Sequence, residues 1–275
     1  MSSYAEGTYG PSALGGGLRR FVELTLTLAR TEFKLRYFGS VLGYLWSLMK
    51  PLAYFGILYV IFVDIFHQKG SNFGLQLLVA IVIFTFFAEC TSTSLGSVAG
   101  NAHLVRKAYF PLSALVVSQS VTALFTLAIN LVLVVIIGVT FAHVHLGLAA
   151  LAVPLLLVEL YLLSLGVGML LAAAFVFYRD LGHVWEVVTQ LMLYAAGVVF
   201  PAISVPLRLR GLFYLDPLAQ IIEDLRRAIV TPDAAWSVSL VGFPQYLLPL
   251  ILSVLVFVAG LVLFRRLTPL FAESL

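Results

Sequence analysis

The sequence has a single cysteine, Cys90, in 275 residues. No intrachain disulfide can form, so cysteine gives no reading of the redox compartment. Charge is scarce as well. Asp, Glu, Lys and Arg make up 11% of the chain, against about 25% in a soluble domain. Sixteen basic residues against thirteen acidic ones leave a net charge of +3. That is too little, and too scattered, for a nucleic-acid-binding face. No G-x-x-x-x-G-K-[ST] occurs, so the chain has no P-loop of its own. H-E-x-x-H is missing too, and no metal or cofactor is expected on this chain. These absences exclude an ordinary soluble enzyme, a disulfide scaffold and a disordered protein.

What fills the sequence instead is apolar. Hydrophobic residues reach 61% and mean hydropathy is +1.06, more than a water-soluble domain can hide. The expected fold is an all-α integral membrane protein. Six stretches reach the ~20 residues that a membrane-crossing helix needs. They are Val41–Phe66, Leu75–Ala99, Leu112–Phe141, Leu148–Tyr178, Val184–Ile203 and Pro244–Phe264. A barrel would read as ~10-residue alternating segments, which are missing. The first apolar run follows a polar start without a small-residue cleavage site, so no cleavable signal is expected. Eleven Lys and Arg fall on the side of the termini and five on the other. That bias places both termini in the cytoplasm.

Met1–Gly17 is rich in Gly, Ser and Tyr and reads as a flexible tail (1–17). Leu18–Phe38 has helical periodicity (18–38). Arg20, Glu23, Thr27, Arg30 and Lys34 form one stripe, and Val22, Leu26, Ala29 and Phe33 form the other. A basic stripe opposite an apolar one suits an interfacial helix on the membrane surface. One membrane domain follows (39–275). The connection Asn101–Pro111, NAHLVRKAYFP, reads as a positive-inside loop or as a docking helix for a cytoplasmic partner. After the fifth stretch, Pro201 and Pro206 stop a regular helix. Asp216–Pro217 then supplies a cap and a first-turn proline. Leu218, Ile221, Ile222, Leu225 and Ile229 recur at helical spacing, with Glu223 and Arg227 as an i,i+4 pair, until Pro232. An amphipathic helix is expected here, just outside the membrane or dipping into it as a re-entrant segment.

Intramembrane charges are the first functional suspects. Glu89 opens the polar run to Ser94 and suits a protein interface, a wet cavity or a structural hydrogen bond. Glu159 has no evident partner. The five histidines lie at span ends or in connections. His143 and His145 are two apart and diverge on a helix, so no metal site is expected there. In the first stretch Phe55, Tyr59, Phe62 and Phe66 share one helix face. Such a stripe could line a carbohydrate path, with Phe84 and Phe87 beside it, although lipid contact or core packing is the simpler account.

Four segments together carry a resemblance: FKLRYFGSVLGYLWSLMKP (Phe33–Pro51), NAHLVRKAYFP, FYRDL (Phe177–Leu181) and LDPLAQIIEDLRRAI (Leu215–Ile229). In this order and position they resemble the membrane subunits of ABC-2-type exporters, most closely the Wzm/TarG type. That type exports lipid-linked O-antigen polysaccharide or wall teichoic acid. Where the family usually shows Asn-Pro, this chain has Asp216–Pro217.

The resemblance implies a homodimer in the cytoplasmic (inner) membrane with two copies of a cytoplasmic P-loop ATPase, which would hold ATP and Mg. Arg30, Lys34, Arg36, His103, Arg106, Lys107, Tyr109 and Phe110 would couple to that ATPase. Phe55, Tyr59, Phe62, Phe66, Phe84 and Phe87 would line the channel. Pro206, Asp216, Pro217, Arg226 and Arg227 would belong to an outer gate, and Arg179 and Asp180 would pair at an inner hinge. The alternatives are an ABC-2 exporter of a small molecule or lipid, an ion-coupled secondary carrier, and a membrane-embedded transferase. The last two would need coupling or catalytic polar clusters that the sequence does not supply.

Overall fold

The computed structural model describes residues 17–38, 43, 45–67, 72–105, 111–144, 147–231 and 236–274. Among them every regular element is helical. In chain order these are α1 (Leu18–Tyr37), α2 (Leu45–Tyr59, extended by a π-turn Val60–Ile65), α3 (Phe73–Ser97) and α4 (Ala102–Val105). Then come α5 (Ser113–Thr140), α6 (Val153–Phe177), α7 (Leu181–Ala195) and α8 (Leu207–Phe213). The chain finishes with α9 (Pro217–Ile229), α10 (Ser237–Val241) and α11 (Phe243–Ser274). Five helical stretches are long and apolar enough to cross a membrane: Leu45–Ile65, Phe73–Asn101, Ser113–Thr140, Leu148–Phe177 and Phe243–Phe271.

The expected fifth span, Val184–Ile203, is not one continuous helix. α7 has 15 residues, about 22 Å at 1.5 Å per residue, against ~30 Å of hydrocarbon. Gly197 turns to φ 66°, a left-handed conformation that ends a helix, and Pro201 has no N–H to extend one. The chain runs on irregularly to a short 3-10 turn, Ala202–Ser204. The last helix differs in the opposite sense: it continues past Phe264 to Ser274. Arg265 and Arg266 bar it from the hydrocarbon but do not break it.

α3 is the centre of the bundle. It packs against α5 and α6, and also meets α2, α7 and α9. α6 and α11 make the most extensive pairing, and glycines permit it. A Cβ on Gly166 would fall 2.6 Å from Phe257 Cα and 2.7 Å from its N, and one on Gly260 would collide with the Gly166 carbonyl. Small residues at such crossings let membrane helices approach closely, because dispersion replaces the missing hydrophobic drive.

α5 carries a polar stripe at spacing four: Ser118, Thr122, Thr126 and Asn130, all buried. These side chains bond back to carbonyls of their own helix, as Thr122 Oγ1 does to Ser118 O (2.9 Å). Two also reach outward. Thr122 Oγ1 donates to Ala29 O (3.3 Å) and so docks α1. Asn130 Nδ2 donates to Ser47 O (3.4 Å) and docks α2. Pro51 explains the second bond. It has no N–H to return to Ser47, so that carbonyl is freed inside the bundle, and Asn130 takes it.

α1 matches its expected extent. Ala29 is buried and Phe33 lies 6.0 Å from Phe125. Val22 and Leu26 of the apolar stripe remain 44% and 39% exposed. Thr25 is buried as well.

Candidate functional site

A cleft of about 1030 Å³ opens between α2, α3 and α7. Its lining follows helical periodicity on all three walls. α2 contributes Trp46, Lys50 and Tyr54, successive at spacing four. α3 contributes Thr85, Glu89, Ser92 and Thr93, with Phe84 beside them. α7 contributes Trp185, Glu186, Thr189, Gln190 and Tyr194. Such a wall suits a hydroxylated ligand: hydroxyl oxygens that can accept and an amide that can donate and accept, between aromatic faces.

Arg36 reaches this cleft from the end of α1. Its guanidinium pairs with Glu89, so α1 is tied to the middle helix of the bundle. The two side chains are 27% and 20% exposed. Lys50 also faces the cleft. α7 is held against α3 from behind, where Trp185 Nε1 donates to Thr91 Oγ1 (3.2 Å) and the Trp185 ring tilts against Phe87 (6.3 Å).

The expected channel aromatics divide. Phe84 lines the cleft, and Phe87 is buried behind Trp185. Phe55 and Tyr59 stack on each other (5.5 Å), and Phe62 contacts Phe66 (5.7 Å) and Phe73 (6.4 Å). Tyr54, one residue before Phe55, is the α2 aromatic that faces the cleft together with Trp46. The i,i+4 spacing of Trp46, Lys50 and Tyr54 was the available signal, obscured by the longer aromatic stripe beside it.

Of the expected coupling residues, Arg30, Lys34 and His103 are exposed, whereas Arg36 turns inward to Glu89. Arg106, Lys107, Tyr109 and Phe110 lie outside the described residues. Among the described residues no ion pair joins Arg179 to Asp180. Arg179 lies over the Phe175 ring (5.3 Å). Asp180 precedes α7, and its carbonyl accepts from His183 and Val184.

At the other end of the bundle α9 is enclosed by α3, α6 and α11. Asp216 caps it as expected, accepting from Leu218 N (3.0 Å), with Pro217 at the first position. Pro206 stands at the start of α8. Every residue of α9 is buried, its charged ones included. Buried charges must be paired, and each of these is ion-paired, with Asp224 Oδ2 left without a hydrogen-bond partner. Arg226 bonds Glu223 Oε2 (3.1 Å) and the carbonyls of Gln76 (3.1 Å), Val198 (2.7 Å) and Phe200 (3.3 Å). Arg227 bonds Asp224 Oδ1 (3.1 Å), Glu223 Oε1 (3.3 Å), Ser237 Oγ (2.7 Å) and Tyr214 Oη (3.0 Å). Burial pushes the Asp224 carboxyl above its ordinary range, and the bonds from Ser237 and Arg227 oppose the shift. The Arg226 bonds hold the irregular segment after α7 against the start of α3. Glu159 of α6, also buried, accepts from Ser253 of α11 (3.5 Å).

Comparison with known proteins bears on what this arrangement is. The ABC-2 type transporter family model matches residues 23–230. An O-antigen export system permease protein RfbA of Klebsiella pneumoniae is 25% identical over 258 residues, 92% of this chain and 95% of the relative. RfbA of Myxococcus xanthus is 25% identical over 184 residues, 67% and 70% of the two chains. The polysialic acid transport protein KpsM of Escherichia coli is 24% identical over 215 residues, 76% and 82%. The family match runs from α1 to the end of α9 and takes in all three walls of the cleft, so the chain belongs to the ABC-2 type transporter family.

Proposed function

We propose that this chain is the membrane-spanning subunit of an ATP-driven exporter that moves a lipid-linked polysaccharide across the cytoplasmic (inner) membrane. The single observation that carries this reading is the cleft between α2, α3 and α7, with its aromatic and hydroxyl lining. The names of the relatives, O-antigen export and polysialic acid transport, support a glycan cargo and favour an O-antigen-like polymer over teichoic acid. The chain itself catalyses nothing. Two copies of a separate cytoplasmic P-loop subunit hydrolyse ATP with Mg²⁺, and two copies of this chain form the path.

The Lys and Arg bias puts both termini in the cytoplasm, which requires an even number of crossings. α7 together with the irregular segment 196–204 supplies the sixth. Broken backbone at membrane depth persists where protein covers it, and Ala196, Val198, Val199 and Ala202 are buried. α9 is then a re-entrant helix at the outer end, with Pro206, Asp216 and Pro217 fixing its entry and Arg226 and Arg227 locking it. At the inner end Arg30 and Lys34 of the interfacial helix, with His103, Arg106, Lys107, Tyr109 and Phe110, face the ATPase. ATP binding draws the two ATPase subunits together and moves that end. Arg36 passes the movement to Glu89 and so to the cleft wall.

The test is reconstitution of this chain with its partner ATPase and a lipid-linked polysaccharide. Polymer is expected to cross only with ATP and with both subunits present. Replacing Arg106 and Lys107 together by Glu is expected to abolish ATP-driven export without lowering the yield of the chain. Export that needs no ATPase, or that survives the double replacement, contradicts the corresponding assignment.

A further inference from the structure

The cleft's charge is balanced, and this bears on what passes through it. Two cations and two carboxylates line it among the described residues: Arg36, Lys50, Glu89 and Glu186. Arg36 and Glu89 already neutralise each other. Lys50 and Glu186 are one of each sign. A path for a polyanion needs a fixed excess of Arg or Lys along its wall, because each carboxylate that loses water must meet a counter-charge. Here an entering carboxylate would face Glu186 and would compete with Glu89 for Arg36. The rest of the polar wall is uncharged: the Gln190 amide can donate and accept, while Thr93 and Thr189, which donate to Glu89 O and Trp185 O (2.8 Å each), keep lone pairs that accept from sugar hydroxyls. We infer that the cleft takes an uncharged glycan and discriminates against a polyanionic one. The inference rests on the cleft being the polysaccharide path.

Trp46 and Trp185, two of the three tryptophans, line the cleft and serve as reporters. The full chain, with its ATPase partner in lipid nanodiscs at low salt, is titrated with a neutral hexasaccharide and with an oligosialic acid of equal length. Tryptophan quenching is read, and a W46F/W185F variant shows which part arises in the cleft. The neutral oligomer is expected to bind at least ~tenfold tighter, since one unpaired charge near a protein surface is worth a tenfold factor or more. Glu89→Gln releases Arg36 and gives the wall a net positive charge. It is expected to raise the affinity for oligosialic acid relative to the neutral oligomer by roughly tenfold. Glu186→Gln makes the same change at a second position and covers a failure of the first variant to fold. Equal or tighter binding of oligosialic acid by the unaltered protein overturns the inference and leaves the path reading standing. Cleft quenching by neither oligomer overturns both.

Discussion

α9 and the cleft hold the same kinds of side chain, Arg, Glu and hydroxyls, at opposite ends of one bundle, and use them in opposite ways. In α9 the two arginines meet two carboxylates, a serine, a tyrosine and three backbone carbonyls. In the cleft the polar groups line open space, and one ion pair ties α1 to the α3 wall. Polar groups within an apolar fold hold it together where they satisfy one another. Where they face a cavity, they keep hydrogen-bonding capacity for something that passes.

The largest effect should come from breaking the closed network. Arg227→Met leaves Glu223 half-paired and Asp224 buried without its cation. A loss of about 3–5 kcal/mol is expected for a broken buried pair, read as a collapse in yield and thermal midpoint in detergent. Gly166→Val comes next, since its side chain would meet the α11 backbone at Phe257. Overpacking of this kind costs about 1–3 kcal/mol, and the same melting experiment measures it. Glu89→Gln should cost about 1 kcal/mol or less, because its partner is partly exposed. Its effect should appear in transport, as a several-fold drop in ATP-driven export at near-normal yield. Thr93→Val should be the mildest, within ~0.5 kcal/mol in stability and measurable only as slower export. If Thr93→Val unfolds the chain while Arg227→Met does not, the contrast between the two regions is reversed.

Local signals in the sequence came through. The Asp216–Pro217 cap, the Glu223–Arg227 pair and the long apolar helices depend on neighbours within a turn or two, and spacing encodes them. The contacts that build the site do not. Arg36 and Glu89 are 53 residues apart, and nothing in either segment names the other. Asn130 meets Ser47 because Pro51 frees that carbonyl. Each half of this pairing is visible in sequence, but the meeting needs the fold. The short α7 was hidden because hydropathy sums side chains and ignores φ, and Gly197 ends the helix through φ alone. The spacing from Phe55 to Phe66 suggested one aromatic face, of which Phe55 and Tyr59 stack on α2. It could not show that the face one residue earlier looks into the cleft. The sequence marked Glu223 and Arg227 as a pair on an amphipathic helix but not that the polar side is buried, because composition cannot distinguish a solvated face from charges that meet one another inside the fold.

The most direct measurement is cysteine blockade of export. The native Cys90 is buried, so single cysteines can be read against a quiet background. Thr93→Cys and Thr189→Cys place a thiol on two walls of the cleft, and Val132→Cys places one on the exposed face of α5. After treatment with a bulky maleimide, export through the first two is expected to stop, while the α5 variant continues to export. Unchanged export with Thr93→Cys and Thr189→Cys both fully labelled would contradict the assignment of this cleft as the path.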